Sequence, residues 1–227
     1  SHLSGDLHIA NPGIWSMIPD TIFVNVKELI EDGIDLGGKY LDVSRIPASK
    51  QLDEITSSLS IIISLLSKEA SQEIVLDGLV PLFSKHSKSL PELEQKLTTA
   101  FATASTTSQY NKKNTIVSIR LQLGTDTKII NAIINAYKNY TKITPLPKIG
   151  LIIDSEKGKI TDVSQSASEI ISLGGRVMFA KGQTSSCGVT NGSTKTTSPL
   201  SITLQSVSIN LPRLAFESNK DETYFRA

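Results

Sequence analysis

Apolar positions change rhythm near the middle of the chain. From Leu52, the residues Ile55, Leu59, Ile62, Ile63 and Leu66 recur at steps of three and four, which is one face of a long amphipathic helix. A second helix is predicted over 73–85. A third starts at Pro91, a favoured first-turn residue, with Leu93, Leu97 and Phe101 facing inward. Earlier, Asn11-Pro12-Gly13 and Pro19 punctuate the chain. Residues 21–26 read as a short strand or helix entry, and 27–32 as a helix stopped by Gly33. Residues 1–113 therefore read as the mainly helical part of the chain.

After Asn114 the apolar residues fall two apart. Residues 115–121 are rich in β-branched side chains and read as a strand. Gly124-Thr125-Asp126 breaks that strand and caps a helix whose stripe is Ile129, Ile130, Ile133, Ile134 and Tyr137. Pro145 and Pro147 lead into a strand at 149–153. Thr161-Asp162 opens another helix, closed by Gly174-Gly175, and 176–180 is again a strand. This is the βαβ rhythm of a parallel sheet, so 114–227 reads as α/β. A polar segment over 181–200 follows, long for a connection inside one domain and so a candidate for function. Beyond it, 202–210 reads as a single strand carrying Leu204, Val207 and Ile209. No repeat of fixed period is present. Both ends read as cut: an extended segment starts almost at once, and 221–227 resembles a helix's acidic first turn that stops early. The expectation is an internal fragment of a longer protein.

Composition narrows the function classes. The 227 residues carry 23 Lys+Arg against 22 Asp+Glu, a net charge of +1. That balance argues against a nucleic-acid binder and against a polybasic membrane-surface protein. No run of 18 apolar residues occurs, since Ser60 and Ser64 interrupt the densest stretch, so no transmembrane helix is expected. With no signal peptide at the start, the expected compartment is the cytoplasm. A single cysteine excludes an internal disulfide framework and a Cys-rich zinc or iron–sulfur site within the chain. His2, His8 and His86 are too scattered to indicate a metal cluster.

Cys187 is the first candidate for chemistry. It sits in a Ser/Thr/Gly segment with Val189 as its one apolar neighbour. A free cysteine is commonly a small buried hydrophobe. This polar setting gives the reactive reading equal weight, and with no nearby histidine to act as base, radical or redox chemistry at sulfur is the natural form. Residues 182–192 also read as a phosphate-binding loop, although they lack both the Lys-Ser/Thr ending and the GxGxxG spacing. The turn 123–126 is either an anion site or a plain capping turn, the second being the better reading. His8 reads as a hydrogen-bonded core histidine. Asp6, Asp154 and Glu217 show no spacing that pairs them for acid–base work.

Resemblance goes further. The stretch Ser206-Val207-Ser208-Ile209-Asn210-Leu211-Pro212-Arg213-Leu214-Ala215-Phe216-Glu217, with Asp221-Glu222 and Phe225 beyond it, resembles the strand and helix start after the active-site loop of anaerobic (class III) ribonucleotide reductases. Gly5-Asp6-Leu7-His8-Ile9 is similar to that family's opening of the catalytic barrel. Gln122-Leu123-Gly124-Thr125 and Pro147-Lys148-Ile149 resemble further strands of it in the same order. The resemblance spans nearly the whole chain, and the Asn-Leu-Pro-Arg stretch is its most specific part. It implies part of a ten-stranded α/β barrel of the glycyl radical enzyme type, with 181–200 as the finger loop.

By that resemblance, Cys187 is the cysteine at the loop tip, which a glycyl radical oxidises to a thiyl radical. The thiyl then removes the 3′-hydrogen of a ribonucleotide. Asn210 would lie near the substrate hydroxyls. The resemblance implies ribonucleoside triphosphates as substrates, ATP and deoxynucleotides as effectors, a radical-SAM activating enzyme as partner and a homodimer at full length. The glycyl radical and a zinc site belong to a C-terminal part outside this chain, and the ATP-binding regulatory domain to an N-terminal part. Alone, the chain is expected to be inactive. Two departures stand out: many members have a cysteine near the position of Thr21, and many have a histidine where Ala10 stands. Two rival expectations are a non-catalytic nucleotide-binding or regulatory paralogue and an unrelated α/β module.

Overall fold

The computed structural model describes residues 7–9, 19–33, 48–66, 70–110, 115–144, 148–156, 158–181, 200–203, 207–209, 212 and 215–216. In chain order its elements begin with β1 (Leu7–Ile9), β2 (Thr21–Asn25), α1 (Val26–Asp32), α2 (Leu52–Leu66), β3 (Glu73–Asp77), α3 (Leu79–His86) and α4 (Leu90–Tyr110). They continue with β4 (Ile116–Gln122), α5 (Thr127–Ile143), β5 (Ile149–Asp154), a short 3-10 turn (Ile160–Asp162), α6 (Ser164–Ser172), β6 (Arg176–Ala180), β7 (Leu200–Thr203) and β8 (Val207–Ile209).

Strands β2 to β6 are parallel and lie side by side in chain order, and β7 adds antiparallel to the outer side of β2, giving β6-β5-β4-β3-β2-β7. A separate antiparallel pair joins β1 to β8. Right-handed crossovers between successive neighbours place every connecting helix on the same side of a sheet. A doubly wound sheet, by contrast, reverses its order to clothe both faces.

The core follows that logic. Ile22 and Val24, Ile74 and Leu76, Val117, Ile119 and Leu121, and Ile149, Leu151 and Ile153 point to one face. There they join Ile55, Leu59, Phe83, Leu97, Phe101, Ile133 and Tyr137 from the helices in a single apolar cluster. Burying each such side chain contributes about 1.5–3 kcal/mol. The predicted helical stripes are the buried ones: Ile55, Leu59, Ile62 and Ile63 on α2, and Leu93, Leu97 and Phe101 on α4. Phe101 meets the Tyr140 ring edge-on at 6.1 Å between centroids. Gly33 ends α1 at φ 79°, a conformation that costs a glycine nothing.

Two sequence expectations need correction. Residues 73–85 are not one helix, because Glu73–Asp77 is a central strand and only Leu79–His86 is helical. The apolar stripe of α3 (Leu79, Val80, Leu82, Phe83) carries its period back over Ile74, Val75 and Leu76, and the strand is short enough to pass for one more helical turn. The first part of the chain therefore supplies β2 and β3 to the sheet, and the strand–helix alternation starts at β2 rather than after residue 113. Residues 202–210 are not one strand either. Leu200–Thr203 pairs with β2, whereas Val207–Ile209 pairs with β1.

Candidate active-site face

The sheet face opposite the helices is built from the alternate positions of the same strands, and these are mixed, with polar residues toward the strand ends and Phe23, Val75 and Ile152 between them. Parallel register puts Thr21, Phe23 and Asn25 beside Glu73, Val75 and Asp77. These are followed by Ser118 on β4, with Arg120 and Gln122 beside Ile152 and Asp154 on β5. At its N-terminal end the Ser118 hydroxyl donates to the Glu73 carboxylate. Nearby, the Ser71 hydroxyl donates to buried Asp20 at 2.7 Å.

The C-terminal end of this face holds an ion cluster. Arg120 is 6% exposed and spans three strands. Its Nε and Nη2 donate to Asp154 Oδ2 at 3.2 and 2.5 Å, and its Nη1 donates to Asp77 Oδ2 at 3.2 Å. Asp154 is fully buried at the end of β5, and its Oδ1 accepts the Glu156 N–H at 3.0 Å. Asp77 ends β3 with its side chain 30% exposed, and its Oδ1 accepts the Gly78 N–H at 2.7 Å. Gly78 has φ +81°, and a Cβ there would stand 2.5 Å from Asn25 Oδ1, so the corner admits only glycine. A buried ion pair contributes little net stability after desolvation, but it fixes geometry closely. Here it fixes the C-terminal ends of three parallel strands, the edge at which sites form in parallel α/β sheets.

That edge is also where the polar segment begins. Ala180, the last residue of β6, lies in register with Asp154, and its carbonyl accepts the Ser155 N–H at 2.9 Å and the Ser155 hydroxyl at 3.2 Å. The segment ends at Leu200, in register with Val24 near the end of β2. The chain between Ala180 and Leu200 thus joins one edge strand of the sheet to the other.

Cys187 and Asn210 both lie outside the described residues, as do Asp6, Glu217 and the 182–192 segment. Thr21 is on the face of β2 away from the helices. His8 pairs in register with Ser208. The turn at 123–126 is a cap: Asp126 accepts the amides of Lys128 and Ile129 at 3.2 and 3.3 Å, so its own carboxylate fills the place of an anion. His86 is a packing residue, with Nε2 3.3 Å from Glu31 Oε1. Lys85 donates to the same oxygen at 2.9 Å and holds the Glu31 carboxyl below its usual range. Among the described residues no cluster of His, Cys, Asp and Glu could hold a metal ion. No helix among them is long and apolar enough to cross a membrane. An open groove of 510 Å3 lies in the helix layer between α2 and α4, lined by Thr56, Ser60, Lys96 and Thr99, away from the ion cluster.

Sequence reasoning missed the ion cluster. Asp154 was visible as a lone carboxylate, and Asp77 was hidden inside an expected helix. The available signal was Arg120, a charge between apolar Ile119 and Leu121 in a buried strand, which must find a partner on an adjacent strand.

The architecture is similar to that of anaerobic ribonucleotide reductases. The enzyme from Thermotoga maritima in complex with dATP and CTP matches 99% of this chain and 45% of its own, at 12% identity and a TM-score of 0.54. The same enzyme with dATP bound in the specificity site matches the same shares at 14% identity and a TM-score of 0.56. A further anaerobic ribonucleotide reductase matches 99% of this chain and 42% of its own, at 14% identity and a TM-score of 0.55. This chain therefore spans less than half the length of the structures it matches, and at such identities the likeness is one of fold. No protein-family model matches the sequence, and no curated protein matches it.

Proposed function

We propose that the chain is one half of a ten-stranded α/β barrel in an anaerobic ribonucleoside-triphosphate reductase, and that Cys187 is its thiyl cysteine. The observation that carries this reading is the route of the chain. The 19 residues between Ala180 and Leu200, which include its single cysteine, join the two edges of a sheet whose face away from the helices carries an ion cluster at its C-terminal end. At about 4.8 Å per strand, those edges are roughly 24 Å apart along the sheet. The strand ends between those two edges carry Asp154, Arg120, Asp77 and Asn25. The antiparallel seam of β7 on β2 is where a second set of strands would begin, and the resemblance around Asn210-Leu211-Pro212-Arg213 supports the same family.

On this reading, Cys187 passes its S–H hydrogen to the glycyl radical of the full-length protein and becomes a thiyl radical. The thiyl takes the 3′-hydrogen of the ribose, which re-forms the S–H bond and leaves the unpaired electron on C3′. Held in a loop between two strands, the sulfur meets the ribose with water excluded from the radical. Loss of the 2′-hydroxyl as water consumes two electrons and two protons. With Thr21 on β2 and no second cysteine, this chain supplies no thiol pair for that reduction, and the reductant comes from elsewhere. Asn210 bonds the substrate hydroxyls. ATP and deoxynucleotide effectors, the zinc site, the radical-SAM activating enzyme and the homodimer all belong to the full-length, cytoplasmic protein.

Thr21 also motivates a second reading, a nucleotide-binding or regulatory paralogue without catalysis. Cys187→Ser in the full-length protein separates the roles. Under the first reading it abolishes reduction and leaves the glycyl radical signal in the electron paramagnetic resonance spectrum. Loss of that signal overturns the role given to Cys187. Tight nucleotide binding without turnover, by unmodified protein given its activating enzyme, favours the second reading.

A further inference from the structure

We infer that Asp77 is a substrate-positioning carboxylate that accepts a hydrogen bond from a sugar hydroxyl, and that Arg120 sets its direction. The inference rests on the ribonucleotide reading and names which end of the substrate lies at the ends of β2 and β3.

Among the described residues Asp77 has one partner per oxygen, the Gly78 amide on Oδ1 and Arg120 Nη1 on Oδ2. A carboxylate offers about four acceptor directions, so two remain. With 30% of the side chain exposed at a strand C-terminus, that spare capacity faces the edge where ligands of parallel sheets sit. The chemistry selects the ligand group. A phosphate is repelled by the carboxylate. A metal ion is opposed by the Arg120 guanidinium, whose Nη1 stands 3.2 Å from Asp77 Oδ2. A neutral hydroxyl donor suits it.

The neighbouring strand has the same polarity. Asn25, in register with Asp77, gives its amide N–H to Glu28 at 2.7 Å, and its Oδ1 has no hydrogen-bond donor among the described residues. Asn25 Oδ1 is itself buried against Gly78, so the acceptor this corner offers to a ribose hydroxyl is the Asp77 carboxylate. Arg120 acts through Asp77: with Nε and Nη2 committed to buried Asp154, its Nη1 is fixed in direction. A lysine, a point charge on a flexible stem, would not hold the same line.

The test is calorimetric titration of the full-length protein with a ribonucleoside triphosphate and with its 2′,3′-dideoxy counterpart. Asp77→Ala should weaken binding of the ribonucleotide about tenfold to a hundredfold, the loss of one hydrogen bond to a charged group, and leave the dideoxynucleotide unchanged. Arg120→Lys should act in the same direction by a smaller factor. Equal losses for both ligands would mean a purely structural role and overturn the inference while leaving the ribonucleotide reading intact. Where a variant does not fold, the unmodified protein still decides: equal affinity for the two ligands overturns the inference. Failure to bind any nucleotide overturns the reading itself, and the inference with it.

Discussion

The Tyr137 hydroxyl donates to the Ile149 carbonyl at 2.7 Å and so ties α5 to the first residue of β5. The same oxygen accepts the Arg176 N–H at 3.0 Å, at the start of β6. One buried side chain thus fastens the N-terminal ends of two neighbouring strands, while Arg120 fastens the opposite end of the sheet. Tyr137→Phe keeps the ring and its 5.8 Å contact with Tyr140 but leaves the Arg176 amide without its acceptor. The expected cost is about 1–3 kcal/mol, measured as a lower midpoint in thermal or urea unfolding.

The same residue gives an alkaline dependence. Burial, the largest cause, pushes the Tyr137 phenol up to about 12 from 10.0, and also raises Tyr140. A group whose pKa is higher in the folded protein gives stability that is complete below the unfolded value and is lost as pH rises through the folded one. Stability should therefore fall between about pH 10 and pH 12, by up to roughly 2.7 kcal/mol for a two-unit difference at Tyr137. Tyr137→Phe should flatten that slope in part, with Tyr140 giving the remainder. An unchanged slope in the variant would count against burial as its cause.

Asp126 governs the acid side of the α5 cap. The Ser84 hydroxyl on α3 donates to its Oδ2 at 2.8 Å and holds the carboxyl below its usual value, against desolvation and with help from the Ile129 and Lys128 amides. A lowered pKa gives stability that is present at neutral pH and is lost as pH falls through the folded value. Asp126→Ala should cost about 1 kcal/mol at neutral pH, the usual worth of an N-cap. Asp126→Asn should keep most of the cap and lose the acid dependence, which unfolding midpoints between about pH 5 and pH 1 would check.

The β6 edge predicts self-association. Among the described residues β6 has a strand neighbour on one side only, and Phe179 (47% exposed), Ile171 (52%) and Leu173 (41%) rim it with apolar surface. An unpaired edge with such a rim recruits other strands. The 227-residue chain should gain mass with concentration in light scattering, and Phe179→Lys should reduce that gain. A monomer at all concentrations would overturn this expectation.

What could be read in the sequence depended on how local the determining interactions are. The α2 stripe, the inward face of α4 and the Asp126 cap of α5 come from residues a few positions apart, so period and capping chemistry revealed them. The strand Glu73–Asp77 was hidden because five residues are too few to outweigh the helical period of Leu79 to Phe83. That Leu200–Thr203 and Val207–Ile209 are separate strands was hidden because only their partners, β2 for one and β1 for the other, distinguish two strands from one. Cys187 and Asn210 were proposed from composition and resemblance and lie outside the described residues.

The sequence by itself determined the parallel α/β character, most element boundaries after residue 114 and the presence of a single cysteine in a polar segment. Only the tertiary structure decided that strands succeed one another across the sheet, that one face is apolar and the other mixed, and that the segment between Ala180 and Leu200 joins opposite edges. It alone joined Arg120 to Asp77 and Asp154, which stand 43 and 34 positions away along the chain. The reason is physical. Periodicity records which side of its own element a residue occupies, whereas pairing across strands depends on register between distant segments. Register is fixed when each strand's apolar set meets the one buried face that all the strands share.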